Sequence, residues 1–199
     1  MIRLTTRRIG SAVLLALCVP MFAACGGRSS GVGGRIAPPA VNVARIEVQP
    51  DGNGSGSVSI DQFEDTRPGT ELAAYEGSLV QPESDIVPNV RTALTTVLEK
   101  KGIMVSDTAP LVIGVEIREW KVNVSRGFQT KAEATAGVFI RVFDPANKLI
   151  YSGLYRGNAH LQQSSMKEPE LADVLSTSMS EALAQVTRDG PLLQLLRSF

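Results

Sequence analysis

Apolar residues recur along this chain in two rhythms. In Leu111, Ile113, Val115 and Ile117 every second position is apolar, the spacing of a strand with one buried face. The alternation continues through Trp120, Val122 and Val124, but it has moved from odd to even positions. One extra residue absorbed into the strand would do this, so a β-bulge is expected near Arg118 and Glu119. Ala132, Ala134, Ala136, Val138, Ile140 and Val142 then alternate without a break. Asp144-Pro145-Ala146-Asn147 reads as a turn, and Leu149 to about Leu161 as the strand returning from it. A symmetric loop would set Val142 opposite Leu149, Ile140 opposite Tyr151, Val138 opposite Gly153 and Ala136 opposite Tyr155. A loop of odd length would slide the register by one residue and turn the last strand over. The other face of this pair carries Phe139, Arg141, Phe143, Ile150 and Leu154, more apolar than a solvated face requires.

Elsewhere the rhythm is helical. Ile86, Val90, Ala93, Leu94, Val97 and Leu98 form one apolar stripe over a helix from about Ile86 to Lys101. Ser84 or Asp85 can cap its start, Pro88 suits its first turn, and Gly102 ends it. Leu171, Val174, Leu175, Met179, Ala182, Leu183 and Val186 predict a second helix from about Pro169 to Arg188. Asp189-Gly190-Pro191 stops it, and Leu192, Leu193, Leu195 and Leu196 make a short terminal helix. Val58, Ile60 and Phe63 mark a strand to about Asp65, followed by the turn Thr66-Arg67-Pro68-Gly69. Ile46 and Val48 suggest a short edge strand, and Ser78-Leu79-Val80 another within the irregular stretch 70–84. The expected architecture is α+β: a two-layer sandwich whose antiparallel sheet carries two main helices on one face, with the short C-terminal helix beside them.

The first 24 residues follow a different grammar. Arg3, Arg7 and Arg8 form a positive start, an apolar run extends from Ile9, and Ala23 and Ala24 lead into Cys25. Phe22-Ala23-Ala24-Cys25 resembles the lipobox of bacterial lipoproteins, with Phe22 where Leu is usual. The resemblance implies cleavage before Cys25, acyl chains on that residue and a membrane anchor that does not span; two acyl chains hold stably where one is marginal. Gly26, in place of the Asp that retains lipoproteins at the inner membrane, favours the outer membrane of a Gram-negative cell, facing the periplasm. Residues 25–42, rich in Gly, Ser and Pro, read as a tether with a reach of roughly 20–23 Å, and 43–199 as one folded domain.

Charge and cysteine content narrow the chemistry. Basic and acidic residues number 20 each; losing the three arginines of the signal leaves 17 against 20, a net charge of −3. No basic field points to nucleic acid. Cys18 leaves with the signal and Cys25 takes the lipid, so no disulfide or thiolate chemistry remains.

Five landmarks, in this order, resemble the YajG family of bacterial lipoproteins: Ile46-Glu47-Val48-Gln49-Pro50, Asp65-x-Arg67, Val97-Leu98-Glu99-Lys100-Lys101-Gly102, Lys131-Ala132 and Thr187-Arg188-Asp189. That resemblance implies an outer-membrane lipoprotein and carries no catalytic residues. The Gly/Ser insert 51–57 and Pro88 depart from the pattern.

His160 is the one histidine and has no cluster of potential metal ligands around it in sequence, so a strand-end surface role is expected. No P-loop, HExxH or dinucleotide fingerprint occurs. No cofactor or metal is expected, and no catalytic residue is assigned. Asp65 and Arg67 are expected to tie down the turn between them. The candidate partner-binding face comprises Phe139, Arg141, Phe143, Ile150, Leu154 and Trp120, its alternative being coverage by residues 70–84 or the N-terminal strand. Three functions fit: a non-enzymatic protein-binding module in envelope maintenance; a lipid-handling or transporter-auxiliary lipoprotein with an apolar cavity between sheet and helices; and a periplasmic hydrolase with a polar acid–base cleft. In cells fed radiolabelled palmitate, the native chain is expected to incorporate label and a Cys25→Ser chain to incorporate none.

Overall fold

The computed structural model describes residues 34–48, 55–75 and 78–199. The expected export signal, Phe22, Cys25 and the greater part of the Gly-rich stretch lie outside the described residues. In chain order the strands are β1 (Gly34–Ile36), β2 (Gly56–Asp65), β3 (Ala73–Tyr75), β4 (Ser78–Pro82), β5 (Ile103–Val105), β6 (Leu111–Arg126), β7 (Thr130–Phe143) and β8 (Leu149–Gln163). Three α-helices, α1 (Val87–Lys100), α2 (Glu168–Arg188) and α3 (Gly190–Arg197), and a 3-10 turn at Val43–Arg45 complete the described elements.

The long strand β6 organises the sheet. Along one edge it pairs antiparallel with β7 from Val112 to Arg126. Its other edge is shared: β2 runs parallel to its first half, from Val58↔Leu111 to Asp65↔Ile117, and β3 runs parallel to its second half at Val122 and Asn123. β5 extends the sheet beyond β2, and β4 and then β1 extend it beyond β3. The sheet is therefore mixed, and the expectation of an antiparallel sheet is corrected. β2 runs parallel to β5 and β6, and β3 to β6, because the chain passes through α1 between these partners, connections that adjacent-strand patterns do not reveal.

The bulge lies where the phase of the pattern changes. The β6–β7 register shifts between Ile117 and Glu119, leaving Arg118 as the additional residue. Ile113, Val115 and Ile117 before it, and Trp120 and Val122 after it, consequently share one buried face with Val142, Ile140, Val138, Ala136 and Ala134 opposite. The β7–β8 register differs from the expected one by two residues. Val142 pairs with Tyr151, Ile140 with Gly153, Val138 with Tyr155 and Ala136 with Gly157. The loop is odd, because Phe143 pairs with Leu149, but a second register shift at Ile150 adds one more residue and restores the original face. Asp144 shapes this loop: its carboxylate accepts from the Ala146 and Lys148 amides, both at 2.9 Å, and Asn147 takes φ 59°.

α2 packs on β8 and β7, and less extensively on β6. Trp120 is fully buried between them, and its indole N–H donates to the Leu175 carbonyl of α2 at 3.0 Å. Gly157 permits this closeness: a Cβ there would stand 2.0 Å from the Ser178 carbonyl oxygen and 2.4 Å from the Ala182 nitrogen. Gly56 plays the same part for α3, since its Cβ would lie 1.9 Å from the Leu196 carbonyl oxygen. α1 starts with the Val87 amide donating to Asp85 at 2.9 Å, and its Arg91 reaches the Ile60 carbonyl at 2.8 Å, where β2 shifts register.

Two N-terminal expectations change. Ile46 and Val48 do not form a strand: the preceding residues make a 3-10 turn and Ile46 is buried beneath it. This segment is tied to α2 by the Asn42 amide donating to Ser176 and by Ser180 donating to the Asn42 carbonyl, each at 3.2 Å. The edge strand is instead β1, whose residues fell within the stretch read as tether. A lone Gly-Arg-Ile gives no alternation to detect, and its partner β4 lies far along the chain.

Gly157→Ala should lower stability by about 1–3 kcal/mol, because its new methyl group meets helix backbone rather than a movable side chain. Gly137→Ala, whose Cβ would lie 3.4 Å from the Glu119 Cβ, should change the urea midpoint little; equal losses at the two sites would contradict the packing described.

Candidate functional site

The face of the sheet turned away from the buried cluster is built on β6, β7 and β8. Phe139, Arg141 and Phe143 alternate along β7, and Leu154 of β8 stands directly opposite Phe139. The two rings are half-buried and Leu154 is 38% exposed. The stretch 70–84, the alternative cover for this face, supplies β3 and β4, which extend the sheet beside the second half of β6 together with β1.

What shields the rings is arginine. Arg118 follows Glu116 two residues on along the outward side of β6, and its guanidinium lies 3.6 Å from the Phe139 ring centroid. Arg141 lies 6.0 Å from both the Phe139 and the Phe143 centroids. Glu116 holds both cations: it accepts from Arg118 Nε at 2.9 Å and from Arg141. Gly114 stands opposite Arg141 in the ladder, and a Cβ there would meet the Phe143 ring at 3.6 Å, an ordinary contact.

Beside the rings lies a hollow of about 370 Å³. Gly137 floors it, and Arg67, Arg118, Lys121, Leu154 and Arg156 surround it. Arg67 is already committed: it grips Asp65 with two 2.8 Å bonds and donates to the Trp120 carbonyl at 3.0 Å, pinning the 66–69 turn beside the bulge. Glu119 accepts from Thr135 at 3.1 Å and pairs with Lys121 at 3.2 Å. Partial burial opposes ionisation of Glu119, but those bonds and the charges of Lys121 and Arg156 outweigh it and hold the carboxyl below its usual value.

Phe139, Arg141, Phe143 and Leu154 thus share one face, while two residues assigned to it do not. Trp120 points the opposite way into the core, because the bulge moves the alternation onto the buried side at that position. Ile150, the extra residue of the second register shift, packs against the buried cluster. Sequence reasoning missed Arg118, Arg156 and Gly137. Alternation was the available signal for Arg118, which lies two residues beyond Glu116 on the outward side, and the bulge was the signal for Glu119, which the insertion turns outward beside it. His160 is exposed on β8 opposite Glu133.

A second polar cluster lies under α3. Tyr155 donates to Asp189 at 2.7 Å, Tyr151 bonds both Asp189 and Tyr155, and Asp189 also accepts from the Leu192 amide at 3.0 Å as the cap of α3. Burial, together with the neighbouring hydroxyl and carboxylate, pushes the Tyr155 hydroxyl well above its ordinary value, and Tyr151 is raised by burial and by Asp189. Burial alone would raise Asp189, but the bonds from Tyr151, Leu192 and Tyr155 bring it below its usual value. This is a structural clasp joining β8 to the C-terminal helix. The space between sheet and α2, where a lipid-handling protein would hold an apolar cavity, is filled by Trp120, Leu171, Leu175, Met179 and Leu183, all fully buried. Among the described residues no group of three or more His, Cys, Asp or Glu could hold a metal, and no helix is long and apolar enough to cross a membrane.

A family model described as uncharacterized lipoprotein matches residues 45–197. The chain belongs to that family. The matched span runs from the end of the 3-10 turn to the end of α3, so membership rests on that span and not on the segment read as an export signal. Among solved structures the chain is similar to a Xanthomonas campestris protein of the DUF330 family, at 9% identity, with 82% of this chain and 98% of that chain covered and a TM-score of 0.56. It also matches a minor lipoprotein from Acinetobacter baumannii at 12% identity, covering 67% of this chain and 90% of that chain with a TM-score of 0.45. The first likeness is one of fold alone. No curated protein sequence matches the chain.

Asp189→Ala should cost about 1–3 kcal/mol at neutral pH by removing a helix cap and two tyrosine partners. Because the folded state lowers the Asp189 pKa, its contribution is present above the unfolded value near 4 and is lost as pH falls through the folded value. Native and variant urea midpoints should therefore converge in acid. The raised tyrosines act at the other end, where native stability should decline as pH rises above about 10.

Proposed function

We propose that this protein is a non-enzymatic lipoprotein of the Gram-negative outer membrane, facing the periplasm, that binds an envelope protein through the Phe139–Phe143 face. In this reading residues 1–24 are the export signal, Cys25 carries the acyl chains, and the tether ends at Gly34, where β1 begins. The lipobox-like Phe22-Ala23-Ala24-Cys25, Gly26 after it, and the landmarks shared with YajG-like lipoproteins support the address.

The observation that carries the binding role is the composition of the outer face. Two phenylalanines and Leu154 stand outside the apolar core, roofed by arginines rather than by another element of the fold. A face that needed only to meet water would hold polar residues there. Aromatic rings with adjacent arginines are the combination enriched where protein interfaces concentrate their binding energy. The arginines stay soluble when the face is open, and their planar guanidinium groups can stack and donate when it is covered.

A photocrosslinking residue at position 143 should capture one defined envelope protein in cells, whereas the same residue at Gln185 on the exposed side of α2 should not. Phe139→Asp should reduce that capture at least about tenfold while costing less than about 1.5 kcal/mol of stability. Global unfolding of the variant would instead place this face in the core and remove the proposal.

A further inference from the structure

The β6–β7 hairpin ends in a three-residue loop, Gly127-Phe128-Gln129, closed by the Arg126–Thr130 pair. Phe128 at its centre is 103% exposed, the most open of the large apolar side chains among the described residues. It neither folds back onto the core nor joins the Phe139 face. The loop itself is braced, since Gln162 of β8 donates to Gln129 at 2.7 Å and β8 pairs with β7 as far as the Thr130–Gln163 pair. Three strands thus carry one aromatic ring at their common end. Residues 122–132 hold two cations, Arg126 and Lys131, and no acid; Glu133, just behind them, pairs with Lys131.

The chain enters the sheet from this same end. β6 runs toward the loop, and β3 runs parallel to it with Ala73 opposite Val122. β4 returns antiparallel with Val80 opposite Ala73, and β1 runs alongside β4 with Gly34 opposite Val80. β1 therefore starts at the level of Val122 and leads away from the loop, so the chain arrives at Gly34 from the loop side. From Val122 to Arg126 is roughly 13 Å of strand. Gly34 lies nine residues after Cys25, and a Gly-rich coil of that length reaches roughly 15–18 Å. An anchor at Cys25 consequently puts the membrane surface and the Phe128 loop at about the same height along the sheet.

We infer that the Phe128 loop is a second membrane contact, its ring lying at the boundary of headgroups and acyl chains in the membrane that holds Cys25. The inference rests on the reading of Cys25 as the lipid-bearing residue. Lone exposed apolar residues are ordinary on protein surfaces. This ring, however, stands at an extremity, between cations whose apolar stems can lie along the boundary while their heads meet phosphate. Burying one such ring is worth roughly ten- to hundredfold in partition, too little to hold a free domain on a membrane. A tethered domain works at about millimolar effective concentration, where that preference is enough to set its orientation. The long strands then stand away from the membrane, and the Phe139 face looks along it, open to a neighbour anchored in the same membrane.

The chain from Cys25 onward holds every residue of the buried cluster. A single myristoyl chain joined to its Cys25 thiol binds vesicles only marginally, at about 10⁴ M⁻¹, so a second contact is readable. On vesicles of phosphatidylethanolamine and phosphatidylglycerol, Phe128→Asp should lower partition about three- to thirtyfold, and Phe128→Trp should keep it at or above the native level. Met104→Asp is the charge-matched control. Met104 is exposed on β5, beside the start of β2 and the first residue of β6, at the end of the sheet remote from the loop. That substitution should leave partition unchanged. Urea midpoints of the Phe128 variants should equal the native one, because the ring packs on nothing. Since the acyl chain is attached chemically, the result does not depend on whether cells acylate Cys25, which the palmitate label reads separately. Equal partition of the native and Phe128→Asp chains would overturn the inference and leave Phe128 to a protein partner. Equal losses at positions 104 and 128 would overturn it as well, by making charge and not position the cause.

Discussion

One constraint governs the sheet: β6, β7 and β8 must each keep one face dry along their length, and side chains in a strand alternate without exception. An inserted residue in any of the three would turn its remainder over unless something compensated. Two register shifts manage this. At Arg118 the inserted residue matches a phase change already present in the apolar pattern, so the buried face passes without a break from Ile117 to Trp120. At Ile150 the shift cancels an odd loop. Trp120 then fixes the layer above, since its indole can bond the Leu175 carbonyl only if α2 sits at the height that Gly157 allows. Register, phase and helix position are thus a single interdependent solution.

The same insertion that keeps one face apolar supplies the other with its chemistry. It turns Glu119 outward beside Arg118, which lies over Phe139, and Glu116, two residues earlier on the same face, holds Arg118 there and holds Arg141 as well. Arg67 anchors the neighbouring turn to the carbonyl of Trp120. The buried and exposed surfaces of the sheet therefore share their key positions, with residues 118 to 120 contributing a cover, a carboxylate and a core anchor in succession.

Much of this was legible in the sequence, for identifiable reasons. The three long strands, both long helices and the first bulge each declare themselves through many residues in one rhythm, so a single exception does not hide them. β1 and β5 contain three residues each, too few to show any period. The parallel pairing of β2 with β6 depends on a crossover, about which local alternation is silent. The register of β8 was missed by two because a loop and a bulge each moved it by one, and their sum preserves parity, which is all that the apolar pattern records. At the candidate site the aromatic residues were visible by position, whereas Trp120 and Ile150 were assigned to the wrong side because each sits where a shift changes the face.

Gly56 has a consequence for how the domain is completed. Its contact with the Leu196 carbonyl joins the opening of the first long strand to the last helix, and the Asp189 clasp fastens that helix to β8. Loops that span almost an entire domain are entropically costly to close and slow to form. The fold is therefore a late-closing one. A chain emerging end-first has nothing to seal the start of β2 until its final helix arrives.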